Sequence, residues 1–256
     1  MTGHSLAVRV SGLSFEYGSR SGPPLSIFRG LSLEIYSNRI TAFMGGNGTG
    51  KSTLGRLLAR QLSPTQGTVS WASAFGGRAD IAYLGQDPLG SVFPWQTVTE
   101  NLSWPLKKLG WPAGERVARV QELTALFGLG PLGDKYPHFL SGGERQRLAV
   151  ARCLSWRPKA IIMDEPLAAL DVGNRERMWS HLNWACAAGG CTILLITHFP
   201  ADVLALAHRC MILGPNPGQI SADLEIVVPF PRVDSAPGYS EVQRKLLDLT
   251  WRAGVL

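Results

Sequence analysis

One stretch decides the fold: residues 44–53 read MGGNGTGKST. Within it, Gly45, Gly50, Lys51 and Ser52 fill the pattern G-x-x-x-x-G-K-[ST]. Glycines let a backbone turn its N–H groups inward, and such a loop at the start of a helix binds anions. In this pattern the lysine reaches the β- and γ-phosphates of a nucleotide and the serine hydroxyl binds Mg²⁺. The alternative is a flexible glycine linker, so the flanking residues decide.

The flanking residues favour a phosphate-binding loop. Residues 39–44, RITAFM, are a short apolar run that predicts a buried strand. Residues 52–62, STLGRLLARQL, carry leucines at helical spacing. A strand, a glycine loop and a helix in this order are the context that the pattern requires.

The rest of the chain predicts an α/β fold. Residues 160–164 (AIIMD) and 192–197 (TILLIT) read as buried strands with a helix between them, which indicates a mostly parallel sheet. Residues 6–17 and 31–37 alternate in hydropathy and predict antiparallel strands. Residues 87–156 lack strong strand signals and predict a helical insert. We therefore expect a P-loop NTPase with a mostly parallel core, an antiparallel β subdomain and a helical insert.

The predicted organisation is one domain over residues 1–256. Residues 1–86 and 157–222 form the nucleotide-binding core with its β subdomain, residues 87–156 the helical subdomain, and residues 223–256 a tail that ends in a short helix. No apolar run approaches the roughly 20 residues that span a bilayer, and the N-terminus does not resemble a signal peptide. These patterns predict a chain that does not itself cross a membrane.

The overall charge and the cysteines point to no special chemistry. A net charge of +6 suits nucleic acid, an anionic membrane surface or phosphorylated ligands, but the sequence has no run of five or six basic residues. An arginine-rich soluble surface is the favoured interpretation. The four cysteines lack C-x-x-C or metal-type spacing, which predicts reduced, partly buried thiols.

Two carboxylates follow a predicted buried strand in residues 161–165, IIMDE. The end of a parallel strand lies at the edge where α/β proteins bind ligands. Asp164 is therefore a candidate to hold Mg²⁺ through water, and Glu165 a candidate to take a proton from an attacking water. A solvated pair of carboxylates is the alternative.

A second anion site is predicted in residues 140–147, LSGGERQR. Ser141, Gly142 and Gly143 precede an apolar helical pattern, and a serine with glycines at a helix N-terminus can bind an anion. An ordinary helix N-cap is the alternative.

Four segments in this order, GGNGTGKST, LSGGERQR, IIMDEP and ITH, resemble the ATP-binding cassette of ABC transporters over nearly the whole chain. The resemblance implies a fold of ABC type, an ATPase activity, and ATP and Mg²⁺ as cofactors. It implies catalytic roles for Lys51, Gln86, Glu165 and His198, and Mg²⁺ contacts for Ser52, Gln86 and Asp164. The nucleotide-binding residues that it implies are Tyr17, Gly45, Gly46, Asn47, Gly48, Thr49, Gly50, Lys51, Ser52, Thr53, Ser141, Gly142, Gly143 and Asp171.

The resemblance also assigns individual roles. Tyr17 corresponds to the tyrosine that stacks on adenine, although it could instead be an exposed strand aromatic. Gln86 matches the Q-loop glutamine, which senses Mg²⁺ and water, and Asp171 matches the D-loop aspartate. His198 matches the switch histidine on the γ-phosphate.

Since each motif occurs once, the resemblance implies a half-enzyme that closes as a head-to-tail homodimer with two composite ATP sites. Three further segments resemble the importer ATPases for nitrate, taurine and alkanesulfonates: VFPWQTVTENL, MILGPNPGQI and VVPFPR with the closing helix. The branch implies separate transmembrane permease subunits, an external substrate-binding protein, and a peripheral position at the cytoplasmic face of the inner membrane. Phe93, Pro94 and Trp95 would face the permease, unless Trp95 packs within the helical insert.

Two residues depart from the family's pattern: Phe199 stands where Asp is usual, and Ala168 where Ser or Gly is usual. The first rival function is a soluble ABC ATPase acting on nucleic acid or ribosomes, but such proteins carry two cassettes or a long coiled coil, so no nucleic acid is expected. The second is a nucleotide sensor without catalysis, against which the retained catalytic side chains argue. An exporter half is disfavoured because no membrane segment is fused to the cassette.

Overall fold

A computed structural model describes residues 5–18, 22–77, 79–215, 217–230, 232 and 235–255. The strands are β1 (Leu6–Tyr17), β2 (Leu25–Tyr36), β3 (Ile40–Gly45), β4 (Gln66–Trp71), β5 (Ile81–Leu84), β6 (Ala160–Asp164), β7 (Thr192–Ile196), β8 (Arg209–Leu213) and β9 (Ile220–Glu225). The helices are α1 (Lys51–Leu58), α2 (Val98–Lys108), α3 (Ala113–Leu126), α4 (Gly142–Leu154), α5 (Val172–Ala187), α6 (Pro200–Leu206) and α7 (Tyr239–Arg252). They form the predicted α/β architecture.

The central sheet has the strand order β5-β6-β7-β3-β8-β9. The neighbouring pairs β5-β6, β6-β7, β7-β3 and β3-β8 are parallel, whereas the edge strand β9 runs antiparallel to β8. Strands β3, β6 and β7 are buried along their whole length, as expected for parallel strands covered on both faces. Because their carboxyl ends meet at one edge, the segments that follow these three strands are neighbours in space.

A second, antiparallel sheet of order β2-β1-β4 packs against the other side of α1 from the central sheet. It contributes Phe28 to the same apolar cluster as Phe43 of the central sheet and Leu54 of α1. Helix α1 is thus buried between two sheets, and its first residue, Lys51, lies at the carboxyl edge of β3. This packing fixes where the glycine loop points.

Helix α1 is shorter than the leucine pattern predicts, since it ends at Leu58 and not near Leu62. Arg60 takes a left-handed backbone conformation with φ of 59°, and the N–H groups of Gln61 and Leu62 both return to the carbonyl of Arg56. The Gln61 bond is a 6→1 bond, and the N–H of Arg60 adds a 5→2 bond to the carbonyl of Leu57 at 3.1 Å, a pair that closes a helix at a left-handed residue. The helical spacing of the leucines therefore continues to Leu62, although the backbone helix ends at Leu58.

The helical part, which consists of helices α2, α3 and α4, follows β5 and precedes β6. The buried side chain of Asn101 in α2 joins it to the segment before it, because its Oδ1 accepts from the N–H of Phe93 at 2.8 Å and its Nδ2 donates to the Phe93 carbonyl at 3.0 Å. These bonds fix the backbone at Phe93, while the neighbouring Trp95 projects with 70% of its surface exposed. Trp95 is therefore not packed within the helical part.

The tail folds back on the core. Leu246 of α7 is fully buried in a cluster with residues of α6 and β8, and Val242 and Leu249 pack beside it, as their helical spacing predicts. Arg232, in the segment between β9 and α7, donates to the carbonyls of Leu204 and Ala207. These two hydrogen bonds join that segment to the end of α6. The tail is thus part of the same folded body.

Candidate nucleotide-binding site

Sterics explain why the loop after β3 needs glycines. Gly50 has φ of 96°, and a Cβ there would lie 2.6 Å from Cγ2 of Ile27 and 2.8 Å from Cζ of Phe28. A Cβ at Gly45 would lie 2.8 Å from the carbonyl oxygen of Leu213. Real Cβ atoms do not approach so closely, so both positions require glycine for the loop to fit between the two sheets.

Lys51 is buried at the mouth of this loop. Its Nζ donates to the carbonyls of Gly45 and Gly46, at 2.8 Å each. Burial lowers the pKa of Lys51, and the charges of Glu165 and Asp164 oppose that effect. An ammonium group at a glycine loop, together with backbone N–H groups at the start of the helix, can attract and orient a phosphate.

Asp164 ends β6 beside the loop and is only 3% exposed. Burial raises its pKa, while a hydrogen bond from the Ser52 hydroxyl acts in the opposite direction. The hydroxyl of Tyr83, in the adjacent strand β5, lies 3.5 Å from Asp164 Oδ2. A hydroxyl and a carboxylate side by side, at the loop that would carry phosphates, are the oxygen donors that suit Mg²⁺.

Glu165 contacts two of the other predicted catalytic side chains, Gln86 and His198. Its Oε1 lies 3.0 Å from Nδ1 of His198, and its Oε2 is 3.5 Å from the Gln86 Nε2 that donates to it. Its backbone takes the uncommon left-handed conformation, with φ of 51°. Such a conformation in a residue with a Cβ is stored strain that is common at functional sites.

A cavity of about 860 Å³ opens beside these groups. It lies between the sheet edge and the helical part, and its lining includes Ser52, Gln86, Asp164, Tyr83 and Arg152. Tyr83 is not among the site residues predicted from the sequence, although it lies in the same YLGQDP segment as Gln86. No sequence pattern marked it, because its position beside Asp164 depends on the parallel pairing of residue 83 with Ile162.

Tyr17 lies at the rim of the loop. Its hydroxyl is 3.3 Å from Oγ1 of Thr53 in α1, and its ring centroid lies 5.0 Å from that of Phe15, with the two ring planes at 89°. Tyr17 is 38% exposed, so part of its ring remains open to a planar ligand.

The residues of the second predicted anion site, Ser141, Gly142 and Gly143, do not line this cavity within one chain. Ser141 caps α4, where its Oγ accepts from the N–H of Glu144 at 3.3 Å and its N–H donates to Glu144 Oε2 at 2.7 Å. Gly142 is exposed, and a Cβ on it would meet no atom of the residues described here within 4 Å. Arg152, which does line the cavity, follows ten residues later in the helix, or about 15 Å along it.

Asp171 is likewise outside the cavity. It caps α5, where its Oδ1 accepts from the N–H of Asn174 at 2.9 Å. These hydrogen bonds to Asn174 lower the pKa of Asp171. Its side chain is on the exposed surface, at the end of the loop that begins with Glu165.

Comparisons with known proteins identify the family of the chain. Residues 28–168, more than half of the chain, match the ABC transporter family. A taurine import ATP-binding protein of Ruegeria pomeroyi is 32% identical over 94% of this chain and 93% of its own length. A nitrate import ATP-binding protein of Synechocystis is 36% identical over 78% of this chain and 76% of its own length. The chain therefore belongs to the ABC transporter family, and the resemblance drawn from its motifs is confirmed.

A solved structure supports the fold independently. It is a dimeric ATP-binding cassette in a post-hydrolysis state with ADP and Pi, and it superimposes with a TM-score of 0.75 over 85% of this chain and 98% of its own, at 24% identity. The predicted fold class is confirmed. Among the helices that the described residues form, none combines the length and the apolar character that crossing a membrane demands.

Proposed function

We propose that this chain is the ATP-binding and ATP-hydrolysing subunit of an importer that takes up a small anionic solute of the sulfonate, taurine or nitrate kind. The observation that carries the proposal is one edge of the parallel sheet, where the predicted cationic, acidic and polar side chains meet: Lys51, Gln86, Asp164, Glu165 and His198. The relatives are importer subunits by name.

The geometry supports a separate role for each of these side chains in the reaction. The glycine loop and Lys51 bind the phosphates of ATP, and the exposed face of Tyr17 receives the adenine. Ser52 and Asp164, with Gln86 at the same cavity, would hold Mg²⁺, which when bound neutralises charge on the β- and γ-phosphates.

Glu165 and His198 act on the water and the γ-phosphate. The carboxylate orients an attacking water and accepts its proton, while the imidazole that lies 3.0 Å away holds that carboxylate and the γ-phosphate in place. The rate gain then comes mainly from positioning and from stabilised charge, as in other phosphoryl transfers.

The remaining groups support a composite site between two copies. Ser141, Gly142 and Gly143 lie outside the cavity of their own chain, and among the described residues no atom within 4 Å requires glycine at position 142. A head-to-tail homodimer would bring this helix N-terminus, with Asp171 close by, to the γ-phosphate bound by the second copy. The related cassette is dimeric by its description.

We place the permease contact at the exposed segment around Trp95. Phe93 and Trp95 have ring centroids 5.4 Å apart, and Trp95 is 70% exposed. An exposed tryptophan held beside a half-buried phenylalanine on a fixed backbone suits a protein interface. The chain would then work peripherally at the cytoplasmic face of the inner membrane, with the substrate-binding protein joined only through the permease.

We also propose the division of the chain inferred from its sequence. Residues 1–86 and 157–222 form the nucleotide-binding core with its antiparallel sheet, residues 87–156 the helical signature part, and residues 223–256 the tail. The helices α2, α3 and α4 all lie between β5 and β6, which supports this boundary.

A pull-down from native membranes tests the function. Glu165→Gln should bind ATP and lose turnover, because the amide cannot accept the proton. The tagged, ATP-locked variant should then retain a polytopic permease. Adding Trp95→Ala should release the permease, whereas adding Trp251→Ala, at an equally exposed tryptophan of α7, should not.

Three outcomes would count against the proposal. Recovery of ribosomes or nucleic acid alone would favour the rival soluble ATPase. Wild-type turnover in Glu165→Gln would refute the role of that carboxylate, and ATP binding without turnover in the assembled wild-type complex would favour the nucleotide sensor.

A further inference from the structure

The aromatic ring of Phe199 contacts both a histidine and an arginine. Its centroid is 4.0 Å from that of the His198 imidazole, with 37° between the ring planes. The guanidinium carbon of Arg175 lies 4.2 Å from the same ring's centroid. Phe199 is therefore the link between the predicted switch histidine and a cation of α5.

The same arginine holds the loop that follows Glu165. Its Nη2 donates to the carbonyl of Leu167 at 3.0 Å, and its Nε is 3.7 Å from Oδ1 of Asp202, too far for a hydrogen bond. The Arg175 side chain is only 17% exposed. The aromatic ring and one backbone carbonyl thus provide close contacts for a largely desolvated guanidinium, the setting in which a cation–π contact contributes most.

The backbone at the histidine is fixed by a buried carboxylate. Asp202, 1% exposed, accepts from Oγ1 of Thr197 and from Nε1 of Trp179, at 3.0 Å each. The Thr197 hydroxyl in turn accepts from the N–H of Phe199 at 3.1 Å. Since this turn is anchored, motion of the Phe199 ring rather than of its backbone would carry displacement between Arg175 and His198.

We propose that Phe199 and Arg175 are positioning residues that hold His198 against Glu165 and couple it to the loop of residues 165–171. This inference rests on the proposed ATPase function. The His198 side chain is 43% exposed, so its rotamer needs a neighbour to restrict it. Movement of the loop that ends at Asp171 would shift Arg175 through the Leu167 carbonyl, and Phe199 would pass that shift to the imidazole.

We expect Phe199 to act through its aromatic ring and not only through its volume. An aromatic face attracts a guanidinium and packs against an imidazole at once, which an aliphatic side chain does not do. The chain carries a matched trio elsewhere: Phe230 lies 4.1 Å from the Arg232 guanidinium carbon and 5.3 Å from the His208 ring, in the tail and outside the catalytic cluster.

Steady-state kinetics with ATP-binding measurements are the first test. Phe199→Leu should lower kcat about tenfold, on the order expected for a desolvated cation–π contact, and change the Kd for ATP less than about twofold. Phe199→Tyr should recover kcat to within about threefold, and Phe230→Leu should leave it unchanged. In the Phe199→Leu background, Arg175→Lys should cause little further loss, because coupled residues are not additive.

A second measurement does not depend on catalysis. In histidine-labelled, nucleotide-free protein, Arg175→Lys should move the imidazole NMR signals of His198 when Phe199 is present and leave them unmoved in Phe199→Leu. Insensitive His198 signals with the ring present, or unchanged kcat in Phe199→Leu, would overturn the proposal. A Tyr variant as slow as the Leu variant would also overturn it. If the wild type failed to hydrolyse ATP, the proposed function would be refuted. The NMR measurement would still test the contact of Phe199 with Arg175 and His198.

Discussion

Gly142→Ala should separate the stability of this chain from its activity. Gly142 is the first residue of α4, is exposed, and leaves open space where a Cβ would stand. Alanine loses less conformational freedom than glycine on entering a helix, by about 0.5–1 kcal/mol. Because the position is at the helix end and the chain is long, we expect the melting temperature to rise by about 1–3 °C.

ATP turnover should change in the opposite direction. In the composite site, the N–H groups around Gly142 would face the γ-phosphate bound by the second copy, and a methyl group there would hold the helix away from it. Loss of one preorganised donor to a developing negative charge lowers kcat by about 10²–10³-fold. Phosphate release measures turnover, and light scattering of the same substitution in Glu165→Gln measures ATP-driven dimerisation.

Gly114→Ala is the matched control. Gly114 lies in the first turn of α3 and is also exposed, and a Cβ on it would likewise meet no atom within 4 Å in the part of the chain that the structure describes. It should raise stability similarly and leave turnover unchanged. Normal turnover and dimerisation in Gly142→Ala would refute the composite site, whereas a lower melting temperature would refute the open space inferred around Gly142.

Two further predictions follow from buried ionisable groups. Burial raises the pKa of Asp164 above its ordinary 3.8. The folded chain therefore binds a proton at this carboxylate more tightly than the unfolded chain does. The free energy of unfolding then falls as the pH rises from 3.8 to the raised pKa. Asp164→Asn should therefore stabilise the metal- and nucleotide-free protein by about 1 kcal/mol at pH 7.5, and denaturant titrations at pH 3.5 should show the gain vanish; a loss at pH 7.5 would contradict this. Burial raises the pKa of the Cys153 thiol to about 11 and that of Cys191 to about 12, so neither should react with a thiol reagent at pH 8 until the chain unfolds. Fast labelling of native protein, followed by mass spectrometry, would contradict that burial.

Much of the site was predictable because its parts are local in the chain. The glycine loop lies between a strand and a helix that directly adjoin it, so sterics and apolar patterning indicate both its shape and its chemistry. Asp164 and Glu165 were predictable for the same reason, since an apolar run ends at them. The shorter α1 was not, because a left-handed turn at Arg60 leaves the spacing of the leucines unchanged.

The sequence by itself determined the local chemistry: a phosphate loop, an acidic strand end, a second helix N-terminus and the family to which these motifs belong. Only the tertiary structure decided which groups meet. Gln86 and Glu165 are 79 residues apart, and they approach because β5 and β6 pair in parallel with their carboxyl ends level. Sequence showed Phe199 merely as a departure from a pattern, whereas packing gave it Arg175 as a neighbour. Such contacts depend on strand order and register, which arise from burial summed over the whole core and not from any short segment.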